Sequence, residues 1–146
     1  MRFVMFMIPA VYQGKAGREA GADFAPSAKD VEAMMKYNEE LAKAGALIAL
    51  DGLHSPATGA RVTFAQGKVT VVDGPFAESK EVVGGYWMIQ VKSRLEAVAW
   101  ARRVPAQDGD VVEVRQVFEM EEFPEDVQKA AHNPTVEAQV EKHKKS

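Results

Sequence analysis

His54 stands just beyond a short apolar run, Asp73 ends a β-rich segment, and Glu78, Lys80 and Glu81 follow it closely before Gly84-Gly85. A histidine held by a carboxylate can act as a general base near neutral pH, because the carboxylate fixes one tautomer and stabilises the imidazolium. A lysine beside that pair can neutralise an anionic group on a substrate. If folding brings these residues together, they form a site for proton-transfer or lyase-like chemistry on a small-molecule ligand. His54 and Asp73 are then the catalytic pair, and Glu78, Lys80 and Glu81 the ligand-binding groups. The same residues also fit plain turns. His54 precedes Ser55-Pro56, where an exposed, idle imidazole is the ordinary outcome. Asp73-Gly74-Pro75 combines a side chain that accepts backbone N–H groups, a residue of free dihedrals and a fixed φ, and Phe76 can anchor the loop they form.

No other constellation carries chemistry. The 146 residues include no cysteine, which excludes thiol nucleophiles, disulfides, iron–sulfur clusters and zinc ribbons. His54, His132 and His143 are far apart, the latter two in a polar tail, so neither a metal nor a cofactor is expected. Gly84-Gly85 lacks the phosphate-loop pattern. Met5, Met7, Met34, Met35 and Met88 fall on apolar faces and, with Trp87 and Trp100, read as packing residues. A net charge of −3 supplies no general attraction for phosphate, so no nucleic-acid partner is expected. No apolar stretch approaches the roughly 20 residues that cross a bilayer. The N-terminal apolar run reads as a strand and not a secretion signal, and the expected location is cytoplasmic with no membrane association.

The elements that must position these residues follow from periodicity. Residues 2–8 carry apolar side chains on both alternating faces, Phe3, Met5 and Met7 against Val4, Phe6 and Ile8, so this strand needs cover on both sides. Residues 13–26, rich in Gly and Ala without a steady period, read as a loop able to act as a lid. Ser27 with Asp30 caps a helix over residues 27–44, in which Val31, Met34, Met35 and Leu41 recur at helical spacing before Gly45. A strand at 46–50 is halted by Asp51-Gly52, and residues 61–65 and 68–72 form a hairpin turned by Gln66-Gly67. Residues 85–91 read as a buried strand, Ser93 with Glu96 opens a second helix ending near Pro105, and 111–118 alternates as an edge strand. A hydrophobic content of 47% suffices for one core. The expected organisation is a domain over residues 1–118 and a charged helical extension over 119–146, with Pro124 and Pro134 each starting a short helix.

This order suits an α+β fold, a ferredoxin-like βαβ-βαβ sheet with an inserted β-hairpin, both helices on one face and a C-terminal helical tail. Two helices leave the other face of two-sided strands open. Packing against a second copy covers it, so a homodimer is expected; the alternative is that the hairpin and tail fold back over that face within one chain.

Residues 69–89, with Asp73-Gly74-Pro75-Phe76 and the downstream Glu78, Lys80, Glu81 and Gly84-Gly85, resemble the signature of DGPF-domain proteins, a branch of the YCII-related family. The resemblance extends upstream to Asp51-Gly52-Leu53 and Pro56-Ala57-Thr58 and downstream to Val112-Glu113-Val114-Arg115. It implies a dimeric α+β, barrel-like assembly with a small-molecule pocket near the turn at 73–76. Some relatives are linked with sigma factors, which gives a second class of function, a non-catalytic regulatory or interaction module linked to transcription. Other relatives are credited with a His–Asp pair whose histidine lies on the first helix. This chain has no histidine between Ser27 and Gly45, so that chemistry does not carry over. The same helix offers a different polar face in Tyr37, Asn38, Glu39 and Glu40, with Tyr37 the candidate to bind a ligand. A third class is a structural dimer whose tail exchanges between subunits.

Overall fold

Strict alternation in the first strand sorts its side chains into two sets, and the sheet is built around that division. In the computed structural model, which describes residues 1–76 and 81–146, the main sheet contains β1 (Arg2–Ile8), β2 (Leu47–Gly52), β5 (Gly85–Gln90) and β6 (Val111–Gln116). Their order is β2-β5-β1-β6, and every neighbouring pair is antiparallel. The remaining strands, β3 (Ala60–Ala65) and β4 (Lys68–Asp73), form a separate two-stranded sheet. The helices are α1 (Gly14–Glu19), α2 (Ala28–Lys43), α3 (Arg94–Ala101), α4 (Glu125–Ala131) and α5 (Pro134–Lys144). The chain is therefore a mixed α+β protein with antiparallel sheets.

The register decides what is buried. Phe3 faces Ile89 and Met5 faces Trp87 across β1 and β5, so four large apolar side chains fall on one side of the sheet. Tyr37 and Leu41 of α2 and Ala97 of α3 close over them. The opposite set on the same strands, Val4, Phe6, Tyr86 and Met88, is only half-buried and joins neither apolar cluster. β2 lies at one edge, where a register shift between Leu47 and Ala49 leaves Ile48 unpaired and 46% exposed.

Local signals position α2 and α3. Ser27 Oγ accepts the Asp30 N–H at 3.2 Å and donates to Asp30 Oδ2 at 2.8 Å, and Gly45, at φ +72°, takes the left-handed conformation that ends α2. Ser93 Oγ accepts the Glu96 N–H at 3.1 Å, while the Glu96 carboxylate accepts the Lys92 N–H at 2.9 Å. The segment read as a loop over 13–26 instead contains α1. Gly17 within it allows a close approach: a Cβ on it would lie 2.0 Å from Tyr12 O. The hairpin turns at Gln66 and Gly67, both at positive φ (50° and 75°), as a two-residue turn between twisted strands requires.

The C-terminal extension is rooted by one ion pair. The Arg2 guanidinium grips Glu119 with Nε–Oε1 at 2.7 Å and Nη2–Oε2 at 2.9 Å, and this holds the Glu119 carboxyl below the ordinary range. Beyond it every residue of α5 is exposed, as is every residue of β3 and β4, so neither tail helix nor hairpin is buried against the open sheet face.

Tyr37 is a core residue. Its ring meets Trp87 and Trp100 edge-on at 5.7 and 6.3 Å, and its hydroxyl donates to Trp100 O at 2.9 Å. Burial pushes the phenol from 10.0 up to about 12. A raised phenol contributes stability that is complete below pH 10.0 and is lost as the pH climbs through about 12. Replacing Tyr37 by Phe is expected to cost about 1 kcal/mol at neutral pH and to flatten that alkaline loss, as urea unfolding at a series of pH values will read.

Candidate functional site

The chain leaves β1 at Pro9, β2 at Leu53, and enters β5 through Gly84, and these three points are tied together. Gly84 N donates to Met7 O at 2.8 Å and Leu53 N to Gly84 O at 2.9 Å. Such closeness demands glycine at 84, because a Cβ there would lie 2.7 Å from the Pro9 ring. The wall beside this end of the sheet is the segment from the turn Ala10–Tyr12 through α1 to Pro26. Three side chains fasten it. Tyr12 Oη donates to Leu53 O at 3.2 Å, and the fully buried Ser55 donates to Gly21 O at 2.8 Å. Gln13 acts as a clamp: its Nε2 donates to Pro9 O (2.8 Å) and Val82 O (2.9 Å), and its Oε1 accepts the Val82 N–H (2.8 Å). Opposite, Asp110 fixes the loop after α3, accepting Ala10 N–H on one oxygen and Gln107 N–H on the other, both at 2.8 Å.

Between these parts lies a cavity of about 580 Å³, within the roughly 300–1,000 Å³ that small-molecule pockets occupy. Met7, Tyr12, Phe24, Met34 and Leu53 give it an apolar lining, and Asp30, His54, Gln107, Asp108 and Asp110 supply polar groups. Tyr12 and Phe24 pack edge-on with ring centroids 5.7 Å apart. His54 is exposed on the cavity lining, and its imidazole has no hydrogen-bond or ion-pair partner among the described residues.

The other sequence-derived candidates among the described residues do not line the cavity. Asp73 ends β4, opposite Ala60, exposed and away from the cavity lining, and no hydrogen bond links it to His54. Glu81 is exposed and does not line the cavity. Tyr37 is 4% exposed in the core, its hydroxyl already committed to Trp100. Glu78 and Lys80 lie outside the described residues. Among the described residues no group of His, Asp and Glu is placed to hold a metal ion.

Sequence reasoning missed Gln13, Ser55 and the aspartates at 108 and 110. Only the short spacing Asp108-Gly109-Asp110 after Pro105 signalled a turn there. Val82, the distant partner of Gln13, and Gly21, the partner of Ser55, lie 69 and 34 residues away and leave no local signature.

The turn at 73–76 is held by contacts of its own. Gly74 N donates to Gly59 O at 2.8 Å, and the Gly74–Pro75 peptide is cis. Phe76 lies against Gly59 and under the Arg61 guanidinium, 4.2 Å from its ring centroid. This arrangement packs the turn onto the one at Pro56–Thr58, which directly follows His54 and Ser55.

The family model of the YCII-related domain matches residues 1–121, most of the chain, ending within the turn Met120–Glu122. Comparison with curated proteins gives no match. Among the described residues, no helix is long and apolar enough to cross a membrane.

A Cβ on Gly74 would come within 1.7 Å of Pro56 O, whereas one on Gly59 would sit 3.5 Å from the same oxygen. Gly74→Ala is therefore expected to destabilise by about 1–3 kcal/mol, and Gly59→Ala to stay within about 0.5 kcal/mol of the wild type. Thermal unfolding of the two variants will check both.

Proposed function

The chain belongs to the YCII-related family, and from that premise we propose that it binds a small molecule in the cavity at the end of the sheet, with His54 exchanging a proton there. One observation carries this reading: an imidazole without a partner among the described residues lines a largely apolar cavity of ligand size. Imidazole is the side-chain type that gives and takes protons most readily near neutral pH, and a partner would compete with substrate for its nitrogens. Asp73 then serves the turn at 73–76, which packs beside the segment carrying His54, and not the reaction itself.

The finer assignment is to the DGPF branch, supported by the Asp73-Gly74-Pro75-Phe76 sequence and its packing. We read the sheet as ferredoxin-like with β3–β4 inserted, supported by the order β2-β5-β1-β6 and by α2 and α3 covering one face. The open face of Val4, Phe6, Tyr86 and Met88 supports a homodimer in which two sheets pack face to face. The domain is taken as residues 1–118, and 119–146 as an appended extension.

A second reading, an interaction module that engages a protein partner, is favoured by the hairpin. Val62 faces Val71 and Phe64 faces Val69, and these four side chains are 51–77% exposed on a ribbon that packs on little else.

A thermal-shift screen of small metabolites tests the first reading. A ligand at about 100 times its Kd stabilises the folded chain by about 2.7 kcal/mol. That stabilisation is expected to disappear in His54→Ala and to persist in Asp73→Asn. Loss in Asp73→Asn alone would move the site to the turn at 73–76, and no stabilising compound would leave the interaction module as the better account. In sedimentation equilibrium the wild type is expected at twice the chain mass, and Val4→Lys is expected to shift it to the monomer.

A further inference from the structure

We infer that the ligand of this cavity is an apolar molecule carrying a positively charged amine; this rests on the reading of the cavity as a binding site. The described residues of its lining include no lysine or arginine, and its carboxylates are those of Asp30, Asp108 and Asp110. Asp30 and Asp110 are engaged, the first by Ser27 Oγ and the second by the Ala10 and Gln107 N–H groups. Asp108 has no hydrogen bond or ion pair among the described residues.

An anionic ligand would therefore enter among three carboxylates with, among the described residues of the lining, only His54 able to offset its charge. A neutral ligand would gain the apolar contacts alone. An ammonium gains on both counts, because it keeps the apolar contacts and Asp108 can accept its N–H groups. Neutral imidazole at His54 is a further acceptor for an ammonium proton, which joins this ligand class to the proposed proton exchange. The apolar lining of Met7, Met34 and Leu53 accommodates the body of such a molecule.

Three probes of nearly equal size separate the possibilities: phenethylamine, phenethyl alcohol and hydrocinnamate, titrated into the full chain with protein-observed NMR. The amine is expected to shift signals of the cavity residues and to bind about tenfold tighter than the alcohol, with the carboxylate weakest. Asp108→Asn is expected to remove most of that advantage and to change the affinity for the alcohol far less, because Asp108 makes no hydrogen bond or ion pair among the described residues. Binding of the alcohol or carboxylate at least as tightly as the amine, with cavity signals shifting, would overturn the amine assignment while leaving the cavity as a site. An amine preference that survives Asp108→Asn would overturn it as well. If none of the three shifts a cavity signal, the binding reading falls and this inference with it.

Discussion

The ladder between β1 and β5 runs from Arg2 opposite Gln90 to Met7 opposite Gly85, and the rest of the molecule is arranged by it. Because side chains alternate along a strand, a slip of one residue would exchange the buried set, Phe3, Met5, Trp87 and Ile89, for Val4, Phe6, Tyr86 and Met88. The first set is secured by more than hydrophobicity. Trp87 Nε1 donates to Asn38 Oδ1 at 2.7 Å inside the core, so the tryptophan has its hydrogen-bond partner only in the observed register. Asn38 sits on α2, so that bond, together with the packing of Tyr37 and Leu41, sets the helix against the sheet.

The cavity is a consequence of where the ladder stops. The paired register ends at Met7 and Gly85, and just beyond it Gly84 fills a position where a side chain would strike Pro9. The apolar lining continues the buried face of the sheet through Met7, and α2 adds Met34 above it. The segment around α1 then closes the side, pinned by Gln13 to Val82, which itself packs with Tyr12 and Ala20 in a small cluster separate from the main core. A cavity so placed inherits a floor from the sheet and draws its polar groups, Asp30 of α2 apart, from loops, close to the usual division between scaffold and site.

Much of this was legible in residue order. The serines at 27 and 93 announced both long-range helices of the core because capping is local chemistry, decided within four residues. The hairpin was legible for the same reason. The helix α1 was not, because Gly17 weakens helix propensity and its true reason, the approach to Tyr12 O, depends on a turn outside the helix. Within the site His54 was identified as a candidate, but whether folding brings Asp73 to it is not legible in residue order. The strands β3 and β4 pair only with each other and carry Asp73 to an exposed position off the cavity lining. The aspartates at 108 and 110 sit in a loop whose place beside Ala10 follows from β6 pairing with β1, a contact more than a hundred residues long in sequence.

The exposed groups raise the same physical question as the buried ones. An isolated two-stranded ribbon is marginal in water unless its apolar side is covered, yet Phe64 is 77% and Val71 63% exposed, and the sheet has a second, half-buried face. The two surfaces differ in what can cover them. The sheet face mixes Val4, Phe6 and Met88 with Glu113, Arg115 and Asp51 on the flanking strands, so a two-fold related copy can set acid against base around an apolar centre. The hairpin carries Val62, Phe64, Val69 and Val71 as one apolar side, with Thr63 opposite Thr70 on the other, a pattern that seeks a flat apolar surface and has little charge to choose among partners. In the proposed homodimer, selectivity would therefore belong to the sheet face, and the hairpin would contribute area once that face had set the geometry.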